Sequence, residues 1–91
     1  MYNITNYSRL KASELGVIIK PSSKAGKKID VYKNDKLICS IGDQKYLDYP
    51  NYISRYGLDV ANKRRKLYKI RHKKDLAVIG SAGYYANKLL W

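Results

Sequence analysis

Eight of the twelve residues from Lys63 to Lys74 are lysine or arginine, and no acidic residue lies between Asp59 and Asp75. A stretch so cationic can fold only with most of its circumference in water or against a polyanion, because an unpaired buried charge is prohibitively costly. Val60, Ala61, Leu67, Tyr68 and Ile70 recur through it at helical spacing, so the expected element is a long helix, capped by Asp59 and running to about Lys73. The charges then stand on a rod.

On a helical wheel, Val60, Leu67, Ile70, Tyr68 and Ala61 form the expected core stripe. Arg65, Lys66, Lys69 and Lys73 fall opposite, with His72 beside them, and are the residues expected to meet phosphate. Arg64 and Arg71 fall inside the apolar stripe. They are expected to act as structural anchors with Tyr68 and Trp91, by snorkelling, pairing with a carboxylate or stacking on a ring. Lys24, Lys27 and Lys28 lie in a polar segment, 21–28, that reads as a flexible loop. Folded beside the helix, they would extend its positive surface; alternatively, lysines here keep an edge strand from pairing with neighbours.

Ninety-one residues make one small basic domain, 1–91. The net charge of +12 would favour disorder in a polar chain, but a hydrophobic content of 45% argues for a core. Ten tyrosines and no phenylalanine suit a core that is never far from water, and equally suit stacking on bases. The punctuation along the chain is clear. Tyr7, Leu10 and Leu15 suggest a short helix over Asn6–Leu15, with Thr5 or Asn6 as cap and Gly16 as stop. Val17–Lys20 reads as a strand ended by Pro21. Ile29–Tyr32 and Leu37–Ile41 flank Asn34-Asp35 as a β-hairpin, with Ile29, Val31, Leu37, Cys39 and Ile41 on its inward face. Asp48 and Pro50 mark the start of a helix that stops at Gly57. A small-residue linker, Gly80–Gly83, precedes an apolar terminal helix or turn. The fold class is α+β: a three-stranded antiparallel sheet, a long basic helix and shorter flanking helices.

One cysteine, Cys39, and one histidine, His72, cannot build a four-ligand zinc site or an internal disulfide. No glycine-rich phosphate loop precedes a Lys-Ser/Thr pair, and the seven acidic residues do not group for acid–base or two-metal chemistry. Cys39 reads as packing and His72 as a surface or hydrogen-bonded residue. The expectation is a binding or structural protein with no enzymatic activity, cofactor, metal or small-molecule substrate. No apolar run is long enough to span a membrane and no signal peptide is visible, so secretion is not expected.

The C-terminal third, residues 58–91, carries Arg64-Arg65-x-x-Tyr68-x-x-Arg71-His72, then Gly80-Ser81, Tyr84-Tyr85 and Leu89-Leu90-Trp91. This pattern resembles a family of small basic proteins of nucleocytoplasmic large DNA viruses and some large phages. The resemblance implies a virus-encoded protein of the virion or the viral factory. Together with the basic helix it leads to the expectation of a DNA-binding protein, not sequence-specific, that helps condense or package the genome. The alternative is a minor structural protein of the capsid that docks on acidic surfaces of coat proteins. DNA is favoured over RNA as partner, and self-association is left open.

Overall fold

The computed structural model describes all residues, Met1–Trp91. In chain order the elements are α1 (Asn6–Leu15), β1 (Ile18–Pro21), β2 (Lys27–Lys33), β3 (Lys36–Asp43), α2 (Tyr49–Tyr56), α3 (Leu58–Arg71), α4 (Lys73–Leu76) and α5 (Ala82–Leu90). The strands form one antiparallel sheet in the order β1-β2-β3, so the fold is α+β. No helix is long and apolar enough to cross a membrane.

Local chemistry sets most of the element boundaries. The Thr5 side chain accepts the Ser8 N–H to start α1, and Gly16 ends it in the left-handed region at φ 71. Asn34 and Asp35 both take positive φ, 53 and 63, the requirement of the tight turn between β2 and β3. Asp48 caps α2 through the Asn51 N–H, with Pro50 in the first turn. Two boundaries differ from expectation. Gly57, not Asp59, occupies the N-cap of α3, and Asp59 lies in its first turn. The long helix ends at Arg71, and Lys73 begins the separate one-turn α4.

The core gathers Ile29, Val31 and Ile41 from the hairpin, Val17 and Ile19 near β1, and Leu89, Leu90 and Trp91 from the C-terminal end. Buried Ala12 and Ser8 let α1 approach α5 closely, and the Ser8 hydroxyl donates to the Leu89 carbonyl at 2.6 Å. Leu10, expected on this inner face, is exposed. Leu37 is exposed as well. Val31 pairs with Cys39 and Tyr32 with Leu37, so Ile38 is an extra residue on β3, and this bulge turns Leu37 away from the core.

Segment 21–28 is a tight connection and not a loose loop. The Ser22 N–H donates to the Lys28 carbonyl, the Lys27 N–H donates to the Lys24 carbonyl, and Gly26 supplies a positive φ. The Ser22 hydroxyl and that of Ser40 both donate to Asp30. Lys28 lies inside: its ammonium pairs at 3.1 Å with Asp48, whose side chain is fully buried. Tyr2 also donates to Asp48, and the Asn51 side-chain amide donates to its other oxygen. One carboxylate thus ties the N-terminal segment, β2 and the start of α2. Burial and the Asp48 charge hold the Tyr2 phenol far above its usual range.

Two glycines allow close approach. A side chain at Gly42 would meet Leu90 Cδ1 at 2.8 Å and Lys28 Cδ at 2.9 Å, and one at Gly83 would meet Asp75 Cβ at 2.5 Å. They bring α5 against β3 and against α4.

Asp48→Ala leaves the Lys28 ammonium buried without its partner and removes the α2 cap. It is expected to cost about 3–5 kcal/mol in chemical denaturation, and a loss below about 1 kcal/mol would refute this role. Asp30 gives a pH signature. Burial raises its pKa, but the Ser22 and Ser40 hydroxyls, the Ser23 N–H and the Lys24 charge outweigh that and lower it below the ordinary 3.8. A lowered folded pKa means that the unfolded chain binds the proton more tightly. The stabilisation is complete above the ordinary value and disappears as pH falls through the folded one. Asp30→Asn should therefore flatten the acid limb of a melting-temperature curve.

Candidate nucleic-acid interface

The way α3 sits in the fold decides which cations are available. Its fully buried residue is Ala61, and the half-buried residues that follow are Arg65, Tyr68, Lys69 and His72. The inward side therefore lies about a quarter-turn or more from the expected stripe. Val60, Leu67 and Ile70, expected in the core, are exposed. Arg64 and Arg71, expected as buried anchors, are exposed too. The cause is the partner helix. Ala61 permits close contact with α2, which presents the rings of Tyr49 and Tyr52, and arginines rest on those rings.

Arg65 lies over the Tyr49 ring at 4.5 Å, and Arg64 lies over Tyr52 at 5.7 Å. Tyr49 packs on Tyr7 at 5.6 Å, and Lys11 lies over the far ring, also at 5.6 Å. The result is a series of cation, ring, ring and cation linking α3, α2 and α1. The Tyr49 hydroxyl donates to Asn62 at 2.8 Å, which fixes the ring against α3. Arg65 Nε is buried without a hydrogen-bond partner, so ring contact is its main support. At Tyr49 the choice of tyrosine over phenylalanine is explained, because its ring carries Arg65 while its hydroxyl has Asn62 as partner; the Tyr7 hydroxyl is buried without a hydrogen-bond partner.

Arg65, Lys66, Lys69 and Lys73 line one shallow hollow of about 430 Å³ with Asn62 and Ile70. No carboxylate lines it. Lys69 is half-buried and donates to Asn87 of α5 at 2.7 Å. Burial, then the charges of Arg65, Lys88 and Lys11, lower its pKa. The charges that lower it are all positive. Lys11 and Lys88 are the members that the sequence did not reveal. Lys11 is four residues after Tyr7, a spacing that lets an ammonium lie over a ring; Lys88 reaches the group only because α5 docks beside α3.

The other expected contacts divide. Lys24 is exposed in the turn before β2, Lys28 is withdrawn into its pair with Asp48, and Lys27 is half-buried. Lys27, Arg64 and Arg71 line a second depression on the opposite flank of α3, with Tyr68 and Trp91. Tyr68 is half-buried and stacks on buried Trp91, with ring centroids 4.5 Å apart and planes 9° from parallel. His72 stacks on the other side of Tyr68 at 4.3 Å, and its Nδ1 lies 3.3 Å from Asp75. Cys39 is half-buried, and burial followed by the Asp30 charge raises its pKa.

The structure contains two ion pairs, Lys28–Asp48 and His72–Asp75. Lys28 is thus the only one of the nineteen lysines and arginines with a carboxylate partner. No family model, curated protein or solved structure matches the chain.

A cluster of cations without carboxylate partners should strain the fold that carries it. Lys69→Gln keeps a donor for Asn87 and removes one of the crowded charges. It is expected to melt at or above the wild-type temperature, and a clear fall in melting temperature would show that the charge is structural.

Proposed function

We propose that this protein binds nucleic acid through its phosphate backbone, with little sequence preference and with duplex DNA as the first partner. The observation that carries this reading is the group of cations around Lys69, which has no carboxylate partner within the chain. Phosphates would fill that place. Arg65 and Lys69 are held in position by Tyr49 and Asn87, while Lys66 and Lys73 are exposed beside them. Partly fixed donors lose less freedom on binding than four mobile side chains would. Such contacts position a duplex without reading its sequence. In keeping with the resemblance of residues 58–91 to small basic proteins of large DNA viruses, the task would be condensing or packaging a viral genome, in the virion or at the viral factory.

A second reading has one observation in its favour. Val60, Leu67 and Ile70 stand exposed on the outward side of α3 among its cations. Apolar residues in a basic field also suit a protein surface, as for a minor capsid component on acidic coat proteins. Co-purification with DNA-free shells, and loss of that association in Leu67→Ser, would favour it.

The salt dependence of duplex binding tests the first reading. Six or so phosphate contacts imply roughly a thousandfold loss of affinity between low and physiological salt. Lys66→Ala/Lys73→Ala should reduce the slope of log affinity against log salt by about two, equally for unrelated sequences. Affinity that is flat in salt, or a slope unchanged in the double variant, would refute it.

A further inference from the structure

Among the lysines of the cationic hollow, Lys69 is set apart by what holds it. Its Nζ donates to the Asn87 side-chain oxygen at 2.7 Å, and no carboxylate lies within ion-pair distance. Lys66 and Lys73 share the hollow but are exposed. Three other cations bear on the Lys69 amine from three helices: Arg65 one turn earlier on α3, Lys88 on α5 and Lys11 on α1. α1 also carries Glu14, which forms no ion pair with it, and α2 contributes Tyr49, whose ring carries Arg65.

A carboxylate partner would hold this amine in its charged form. An amide oxygen does not, because it accepts from a neutral amine as readily as from an ammonium. Partial burial and neighbouring cations both favour the neutral form, and the lowered pKa agrees with that geometry. After losing a proton, the amine keeps one N–H on Asn87 and has its lone pair free. A lysine desolvated beside other cationic groups is a general route to an amine nucleophile at neutral pH, and its usual electrophile is a carbonyl carbon. The hollow adds a preference. Its charged lining is Arg65, Lys66, Lys69 and Lys73, so the carbonyl compound that it draws in is an anionic one.

We infer that Lys69 is a nucleophilic amine that captures an aldehyde carried next to a phosphate, as a reversible imine. The amine lone pair adds to the carbonyl carbon and the carbonyl oxygen takes a proton, giving a carbinolamine. That oxygen then leaves as water while the C=N bond forms, and water reverses the step; nothing is oxidised or reduced. Arg65, Lys66 and Lys73 hold the phosphate. The aldehyde comes either from a small phosphorylated compound or from an abasic site in a DNA strand, where an open sugar lies between two phosphates; the chemistry recognised is the same. The strand source rests on the proposed nucleic-acid reading of this hollow, and the free aldehyde does not.

Glyceraldehyde 3-phosphate with cyanoborohydride, which gives hydride to the imine and fixes it as a secondary amine, reads the reaction by peptide mass spectrometry. At neutral pH Lys69 is expected to be labelled at least roughly tenfold faster than Lys66 or Lys73, a lead that needs only about 1.4 kcal/mol of barrier. Glyceraldehyde, which lacks the phosphate, should label Lys69 more slowly by a similar factor. Asn87→Asp keeps the shape of the side chain but sets a carboxylate on the amine, so labelling of Lys69 should fall to the rate of Lys66 with either aldehyde. A duplex with one abasic site, trapped the same way, identifies the source. A Lys69 adduct at lower concentration than the free aldehyde needs points to the strand, and the reverse points to the free compound. The inference is overturned if the three lysines react at equal rates, if glyceraldehyde labels Lys69 as fast as its phosphate, or if Lys69 reacts in Asn87→Asp as fast as in the wild type. Salt-dependent binding of intact duplex with no lead for Lys69 would remove this inference and leave the proposed function standing.

Discussion

The chain has nineteen lysines and arginines to place and seven carboxylates to place them with, and two of those, Asp30 and Asp48, are withdrawn into the interior. Ion pairing therefore cannot organise this surface. Tyrosine rings take over much of that task. Arg64, Arg65, Lys11, Lys20 and Lys88 each lie over a tyrosine, within 5.8 Å of its centroid. A ring face attracts a cation without neutralising it, at about 0.5–1 kcal/mol where exposed and more where dry. The positive field survives folding, and the side chains that lie over rings are held in position while they contribute to it.

The interior solves the same shortage differently. Asp48 is used once, fully, by Lys28, Tyr2 and Asn51. A pair of this kind adds little net stability compared with an apolar replacement, but it is costly to break on one side. Its effect is register: β2, α2 and the N-terminal segment meet at one carboxylate. With α2 so placed, Tyr49 and Tyr52 face α3, and the helix turns to meet those rings. The two flanks of α3 follow from that rotation, one whose charged residues are all cations and one mixed and aromatic.

The elements were legible in the sequence where their signals are local. Thr5 and Gly16, Asn34-Asp35, Asp48-Pro50 and Gly57 act within a few residues, and each marks its boundary in the structure. The grouping of Arg65, Lys66 and Lys69 was legible for the same reason, since helical spacing alone brings them together; Lys73 joins them from the start of α4. The phase of α3 was not. Its large aliphatic residues are exposed and its contact side is made by a small alanine, a tyrosine and the stems of cations, so apolar periodicity pointed the wrong way. Arg64 and Arg71 are exposed for that reason, although Arg64 makes one of the contacts expected of an anchor, lying over the Tyr52 ring. Lys28 was misplaced because its partner is twenty residues further on, in a segment that nothing near Lys28 announces. The ring-rich stretch Tyr49–Tyr56 carried the useful signal: a helix with three tyrosines beside an arginine pair invites cation stacking.

The central claim is that the cations of the folded chain have no compensation of their own. The most direct measurement is the melting temperature of the protein alone as salt rises from a few millimolar to about 0.5 M, where charges are screened beyond a few ångströms. Uncompensated repulsion predicts a melting temperature that climbs steeply at first and then levels. A melting temperature that stays flat or falls over the same range would mean that the charges are already balanced within the fold, and would contradict the account.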